Sequence, residues 1–147
     1  MKVVSEIDVS PTLYFRHLCN VMIKDIKKQT GKNVTMKELI DGYTYERVIS
    51  AKKMSTTIKI SIGPLIENKY FITTYETKDT KGQYYYDFSE TDEKCFVEYG
   101  EDTSYKAESV GTYFGNLKKK FKAKVIEQNA LKNIDLTVEY IKNHKDE

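Results

Sequence analysis

Residues 43–101 restrict the fold more than any other part of the chain, because short segments rich in Tyr, Thr, Ile and Val alternate there with turn residues. An alternation of apolar and polar residues with period two is typical of a strand with one buried face. The pattern is clearest where Ile58, Ile60 and Ile62 alternate with polar residues. Five strands are predicted, over residues 43–50, 55–62, 69–77, 83–89 and 94–100. Because short turns join them, we expect an antiparallel meander.

Two helical patterns and one further strand precede the meander. Residues 3–9 alternate like a strand, and Ser10 and Pro11 then provide an N-cap and a first-turn proline for a helix. Gly31 is the expected stop of this helix. Residues 35–38 fit a capping box and predict a second, short helix. The apolar stripe of the first helix consists of Phe15, Leu18, Cys19, Met22 and Ile26.

The C-terminal segment, residues 112–143, is predicted to be a long helix whose apolar stripe changes position along its length. The first stripe is formed by Phe114, Leu117, Phe121 and Val125. The second is formed by Ile126, Ala130, Ile134, Val138 and Ile141. One straight helix cannot bury both stripes against the same flat sheet, so we expect a bend or two consecutive pieces near residues 127–129. The alternative is that only the second stripe faces the core.

A tyrosine triplet lies in the fourth strand of the meander. Successive side chains of a strand point to opposite faces, so Tyr84, Tyr86 and Phe88 share one face, whereas Tyr85 and Asp87 share the other. Because the aspartate marks its own face as solvated, we expect the first set to face the C-terminal helix and Tyr85 to pair across strands on the outer surface.

The first strand of the meander carries an arginine among aromatic side chains. If Tyr43, Tyr45 and Arg47 face inward, the arginine needs an anionic partner, either a protein carboxylate or the acid group of a ligand. The alternative is the opposite phase, with Val48 inside and Arg47 in water. The candidate ligand cavity comprises Tyr43, Tyr45, Arg47, Ile58, Ile60, Tyr84, Tyr86 and Phe88.

The charge distribution is uneven although the net charge of the 147 residues is only +2. Such a small net charge argues against general nucleic-acid binding. The start of the C-terminal helix carries a basic patch that favours either a solvated face or a surface directed toward phosphate or lipid. This patch consists of Lys118, Lys119, Lys120, Lys122 and Lys124.

The residues that usually carry catalysis are sparse, and no catalytic residue, metal ligand or cofactor is predicted. His144 lies in a charged tail, and His17 and Cys19 are two positions apart on a helix, so their side chains diverge. Cys19 and Cys95 lack CxxC spacing and are expected to be free thiols. The sequence shows neither a secretory signal pattern nor an apolar run long enough for a bilayer span, so we expect a cytoplasmic protein.

The order strand, helix, short helix, five-stranded meander and long helix resembles the helix-grip fold of the START-like (SRPBCC) superfamily. More narrowly, the chain is similar to an uncharacterised family of low-GC Gram-positive bacteria, domain of unknown function 3284. The similar pieces are the opening strand with Ser10 and Pro11, residues 25–32, the tyrosine-rich strand after Gly42, and the Lys- and Phe-rich entry to the last helix. The resemblance implies one α+β domain over residues 1–147, with about six curved antiparallel strands around the C-terminal helix. It supplies no functional residues.

Three classes of function fit these observations, and the sequence leaves enzymatic activity open while favouring a noncatalytic role. The leading hypothesis is binding of a small hydrophobic or amphipathic molecule between the sheet and the last helix. The second is a module that binds an anionic surface or a protein, including a second copy of the chain. The third is an enzyme of unknown reaction that uses polar groups in the cavity.

Overall fold

The computed structural model describes residues 1–51, 54–105 and 113–144, and within the last helix it describes side chains from Lys124 onward. The element order is the predicted one. The elements are β1 (Lys2–Ile7), α1 (Pro11–Thr30), α2 (Met36–Asp41), β2 (Tyr43–Ala51), β3 (Met54–Ile62), β4 (Tyr70–Glu76), β5 (Thr80–Thr91), β6 (Lys94–Tyr105) and α3 (Tyr113–Asn143).

The strands form one six-stranded antiparallel sheet in the order β1-β6-β5-β4-β3-β2. The five strands of the meander are neighbours in chain order, and β1 closes the far edge by pairing with β6, with Val3 opposite Tyr99. The sheet is curved and carries its helices on one side, here called the helix side. This arrangement confirms the predicted meander.

Local sequence signals fix the ends of the first two helices. Ser10 Oγ accepts a hydrogen bond from the backbone N–H of Leu13 at 3.2 Å, which satisfies one free donor at the start of α1. Gly31 ends this helix in the left-handed conformation, with φ of 76°. The capping box between Thr35 and Glu38 forms as predicted.

The core lies between the helix side of the sheet and the apolar faces of α1 and α3. Phe15 of α1 is fully buried, and its ring meets that of Phe71 on β4 edge to face, with 6.0 Å between centroids. On α3, Ile134 is only 2% exposed. Burying aromatic and branched side chains of this size provides most of the free energy that holds the helices to the sheet. The other core residues with less than 2% exposure are Tyr14, Cys19, Ile26, Leu39, Ile62, Thr73, Phe88 and Val97.

The last helix is continuous through residues 127–129, so of the two alternatives, a bend or two consecutive pieces, the second is excluded. Ala130, Ile134 and Ile141 of the predicted second stripe are buried, whereas Ile126 is 40% exposed. The buried stripe therefore begins one turn later than predicted. The side chains of Phe114, Leu117 and Phe121 in the first stripe lie outside the described residues, and Val125 is exposed.

β5 begins earlier than predicted, because residues 80–82 belong to the strand rather than to a turn. Gly82 is buried opposite Tyr75 of β4, and a Cβ placed on Gly82 would lie 2.4 Å from the Tyr75 ring. The glycine thus leaves room for an aromatic ring to lie across the strand. A glycine that reads as a turn signal in the sequence is here a packing site.

Candidate ligand cavity between the sheet and the last helix

The tyrosine triplet divides between the two faces of the sheet as predicted. Tyr86 lies on the helix side, with its ring centroid 5.0 Å from that of Tyr99 on β6 and 5.9 Å from that of Tyr14 on α1. Tyr85 lies on the opposite side and stacks on Tyr70 of β4 at 5.8 Å. Alternation along β5 therefore produces two separate aromatic clusters.

The inward cluster borders a cavity of about 220 Å³ between β5, β6 and α3, here called the inner cavity. The sheet and α1 contribute Tyr14, Tyr86, Tyr99 and Glu101 to its wall, and α3 contributes polar and apolar side chains at helical spacing. The α3 side chains are Ile126, Asn129, Ala130, Asn133, Ile134 and Thr137. The wall of the inner cavity thus combines aromatic and aliphatic surface with polar groups, which seven of its ten described residues carry.

The phenols around the inner cavity are held in their neutral form. Burial raises the pKa of Tyr14 to about 12, while a hydrogen bond with Thr137 on α3 acts in the opposite direction. Burial also raises the pKa of Tyr86 and of Tyr99, and the Glu101 carboxylate adds to the effect on Tyr99. Loss of a proton would leave a charge in a poorly solvated site. At neutral pH these hydroxyls therefore act as hydrogen-bond donors and acceptors.

A second concave region, here called the α1–β2 cleft, lies between α1 and the edge of the sheet and measures about 440 Å³. Tyr45 of β2 donates a hydrogen bond to the Asp25 carboxylate of α1, and Arg47 Nε lies 3.9 Å from Asp25 Oδ1. Burial, followed by this hydrogen bond, raises the pKa of Tyr45. Tyr84 lines the cleft and also packs on Tyr86 of the inner cavity, with 6.4 Å between centroids.

The phase of β2 places Tyr45 and Arg47 on the helix side, so the alternative with Val48 inside was wrong. The partner of Arg47 is the protein carboxylate Asp25, and the arginine side chain remains 46% exposed because β2 is an edge strand. Arg47 is therefore paired but not buried.

The eight predicted cavity residues do not share one site. Tyr45, Arg47, Ile60 and Tyr84 meet in the α1–β2 cleft, and Tyr86 lines the inner cavity. Phe88 is a core residue, 1% exposed and packed on Tyr14 at 5.3 Å. The half-buried Tyr43 and Ile58 pack against the core beside these residues. The role of this set in binding stays a prediction.

Sequence reasoning missed most of the residues that line these two sites, among them Tyr14, Tyr99, Glu101 and Asp25. Tyr14 lies four residues before Leu18 and so extends the α1 stripe that was recognised. Tyr99 and Glu101 continue the inward alternation of Val97 on β6, so strand phase would have indicated both. Asp25 carried no comparable signal, because its pairing depends on how α1 docks against β2.

The basic patch can be described only in part. Lys124 is exposed, and the side chains of Lys118, Lys119, Lys120 and Lys122 lie outside the described residues. Within residues 1–51, 54–105 and 113–144, no three His, Cys, Asp or Glu side chains form a group able to hold a metal ion. None of the helices described is both long and apolar enough to cross a membrane. Cys19 and Cys95 are free.

Comparisons with known proteins agree with this architecture. The sequence matches the model of a family described as Domain of unknown function (DUF3284) over residues 1–125. No curated protein matches the sequence.

Several solved structures resemble this one. SA2116 from Staphylococcus aureus, a protein of unknown function, has a TM-score of 0.61 at 14% identity, covering 100% of this chain and 96% of that one. Ara h 8.0201 has a TM-score of 0.58 at 11% identity, with coverage of 98% and 97%. TTHA0849 from Thermus thermophilus has a TM-score of 0.55 at 13% identity, with coverage of 94% and 95%. At such identities the likeness shows the fold alone, and the predicted α+β architecture, a curved six-stranded antiparallel sheet with a long C-terminal helix, is confirmed.

Proposed function

The chain belongs to the DUF3284 family, a domain of unknown function, and we propose that it is a noncatalytic binding domain for a small amphipathic molecule held in the inner cavity. The observation that carries this proposal is the composition of the cavity wall, in which neutral phenols and amides stand beside apolar side chains. Cavities that stay empty in protein cores are lined by apolar atoms, whereas a cavity with polar groups in its wall holds water or a ligand.

The size of the inner cavity restricts its ligand. At about 220 Å³ it is smaller than the typical drug-sized pocket of roughly 300–1,000 Å³. An apolar cavity of about 150 Å³ is already large enough for benzene. The proposed ligand is therefore a single ring or a short branched chain with one or two polar atoms.

The electrostatics of the wall favour a neutral ligand. Tyr14, Tyr86 and Tyr99 keep their protons and offer hydrogen bonds without charge. Glu101 supplies a carboxylate, which accepts hydrogen bonds and disfavours an anion at this position. Asn133 offers both a donor and an acceptor. An alcohol or amide with an apolar body satisfies these groups best.

The proposal is tested by filling the inner cavity. Ala130 is 7% exposed and lines the wall, so Ala130→Leu places additional methyl groups in the space. Benzyl alcohol serves as the probe, and its binding is followed by amide chemical shifts of residues in β5, β6 and α3. Lys132→Leu, at an exposed position of the same helix, adds apolar bulk outside the cavity and is the matched control.

We expect the wild type and Lys132→Leu to bind benzyl alcohol, and Ala130→Leu to bind it at least about tenfold more weakly because the volume is occupied. Equal affinity of all three proteins would contradict the proposal. Native mass spectrometry of protein purified from its own host then identifies any molecule that remains bound, and a mass lost in Ala130→Leu assigns that molecule to the cavity.

The other functions derived from the sequence stay predictions. A cavity-based enzyme would use the same polar groups, and a module for an anionic surface or a second copy of the chain would use the start of α3, where Lys124 is exposed. A cytoplasmic location also stays part of the proposal. It is supported by the free thiols of Cys19 and Cys95, which a reducing compartment maintains.

A further inference from the structure

The α1–β2 cleft has an apolar floor and polar walls. Ile60 is 8% and Met22 is 9% exposed, and both side chains line the cleft. The phenols of Tyr45 and Tyr84 stand on the sheet side. An apolar floor beneath hydroxyl groups is unlike a flat solvated surface, where long charged side chains extend freely into water.

Positive charges converge on the rim of this cleft from two elements. Lys24 and Lys28 are four residues apart on α1, so they project from one helix face, and Arg47 approaches from β2. Of the described side chains that line the cleft, only Asp25 is a carboxylate, and it already accepts a hydrogen bond from Tyr45 and pairs with Arg47. The cleft therefore carries three positively charged side chains and one carboxylate, and that carboxylate is already paired.

This arrangement is unfavourable for the protein alone. Like charges at positions i and i+4 repel one another and destabilise a helix, as for Lys24 and Lys28. An anion between them and Arg47 would remove that repulsion. Arg47 Nε lies 3.9 Å from Asp25 Oδ1, an ion pair rather than a hydrogen bond, and the planar guanidinium suits two-pronged contact with a carboxylate or phosphate.

We propose that the α1–β2 cleft is a second binding site, which takes the carboxylate or phosphate group of a small amphipathic anion whose apolar part rests on Ile60 and Met22. The acid group lies among Lys24, Lys28 and Arg47, with Tyr84 as a further hydroxyl donor. This site differs from the inner cavity in charge, because the inner cavity carries Glu101 and no described cation. The inference does not depend on the inner cavity being occupied.

The test is an NMR titration of the full chain with four probes: benzoate, phenyl phosphate, benzyl alcohol and inorganic phosphate. We expect benzoate, phenyl phosphate or both to shift the amides of residues 24–28 and 45–47, and the better of the two identifies the acid group. Benzyl alcohol, the neutral counterpart of benzoate, should leave these amides in place even if it fills the inner cavity. The proposal for the α1–β2 cleft and the proposal for the inner cavity can therefore be contradicted separately.

Charge-removing variants locate the site. Arg47→Gln, and separately Lys24→Gln with Lys28→Gln, should weaken binding of the preferred anion about tenfold or more, because each removes charge-assisted hydrogen bonds. The matched control is Lys27→Gln with Lys32→Gln, which removes two neighbouring exposed charges that do not line the cleft. The lysine pair is exposed, so its test holds even if Arg47→Gln does not fold.

Three results would overturn the inference. The first is the absence of shifts at residues 24–28 and 45–47 with either organic anion up to about 10 mM, since a weaker interaction is not specific. The second is equal weakening by the cleft pair and the control pair, which indicates diffuse attraction only. The third is binding of inorganic phosphate as tightly as phenyl phosphate, which removes the role of the apolar floor.

Discussion

Tyr45 on β2 donates its phenolic hydrogen to the carboxylate of Asp25 on α1, and this bond ties the edge of the sheet to the first helix across 20 residues of sequence. Tyr45 is 5% exposed and the Asp25 side chain is 18% exposed. Arg47 adds an ion pair to the same carboxylate. These contacts join the two elements that form the walls of the α1–β2 cleft.

Removing the Tyr45 hydroxyl tests how much its hydrogen bond to Asp25 stabilises the fold. Tyr45→Phe should lower the free energy of unfolding by about 1.5–3 kcal/mol, the range for a hydrogen bond to a charged group. Tyr85→Phe is the matched control, because the Tyr85 hydroxyl also donates to a carboxylate, that of Glu98, on the outer face of the sheet at 3.1 Å. We expect a smaller loss there, since solvent competes for that carboxylate. Chemical denaturation measures both, and equal losses would contradict a special role for the buried bond.

The packing of α3 against the core depends on one apolar stripe of this helix, to which Ile134 belongs. Ile134→Ala should cost about 2–5 kcal/mol, because the side chain is 2% exposed and its removal leaves a void. Leu136→Ala, at a position 53% exposed on the same helix, should change stability by less than about 0.5 kcal/mol. Thermal or urea unfolding of both variants measures the difference. Similar losses would mean that both faces of α3 are covered in solution.

Packing of an aromatic ring over a strand glycine gives a third prediction. Gly82→Ala would force the Tyr75 ring aside and break its 2.8 Å hydrogen bond to Thr103, so we expect a loss of about 1–3 kcal/mol. In a Tyr75→Ala background the same change should cost much less, because the obstructing ring is gone. A double-mutant cycle measures this coupling. Additive losses would show that strand conformation, and not the ring, requires the glycine.

The parts of the fold that could be predicted from the sequence are those that short-range sequence signals determine. The helix ends could be predicted because the capping residues Ser10, Thr35 and Gly31 bond to backbone groups only a few residues away. The alternation of side chains along β5 was sufficient to assign Tyr84 and Tyr86 to one face of the sheet. The Asp25–Tyr45 bond could not be predicted, because it depends on the docking of two elements. For the same reason, the predicted cavity set was split between two sites, and most polar groups of the inner cavity come from residues that the pattern did not single out.

The buried phenols predict the behaviour of the protein in alkali. Five tyrosines of the helix side have a raised pKa in the folded state, namely Tyr14, Tyr45, Tyr84, Tyr86 and Tyr99. Above a pH of about 10 the unfolded chain loses these protons first. The unfolded state then binds fewer protons than the folded state, so the stability that these groups contribute is fully present below a pH of about 10 and falls as the pH rises.

Phenolate absorbance tests this expectation. At pH about 11, the folded protein should show fewer ionised phenols than its twelve tyrosines would give in the unfolded state, and the missing phenols should ionise together with unfolding. Free titration of all twelve before unfolding would contradict the burial of the cluster.

In mild acid, His17 makes the stability of the fold depend on pH in the opposite direction from the tyrosines. Its ring lies 5.2 Å from that of Tyr140 on α3, and burial, followed by the nearby Lys24, lowers its pKa. Arg16 and His144 face the same surface depression, so a proton on His17 meets other basic groups. The unfolded histidine has a pKa of about 6.5. Below that value the unfolded state binds more protons, and the free energy of unfolding therefore falls as the pH falls.

Substitution of His17 measures its contribution to the pH dependence of stability. His17→Gln and His17→Phe both remove the titrating group, and Phe retains a ring beside Tyr140. Between pH about 7.5 and 5.5, the stability of the wild type should decline more steeply than that of either variant, because only the wild type takes up the proton at residue 17 on unfolding. Urea unfolding at several pH values measures the slopes. If the two variants keep the slope of the wild type, burial of His17 does not control the stability of the α1–α3 contact in acid, and the acid sensitivity must originate in other groups.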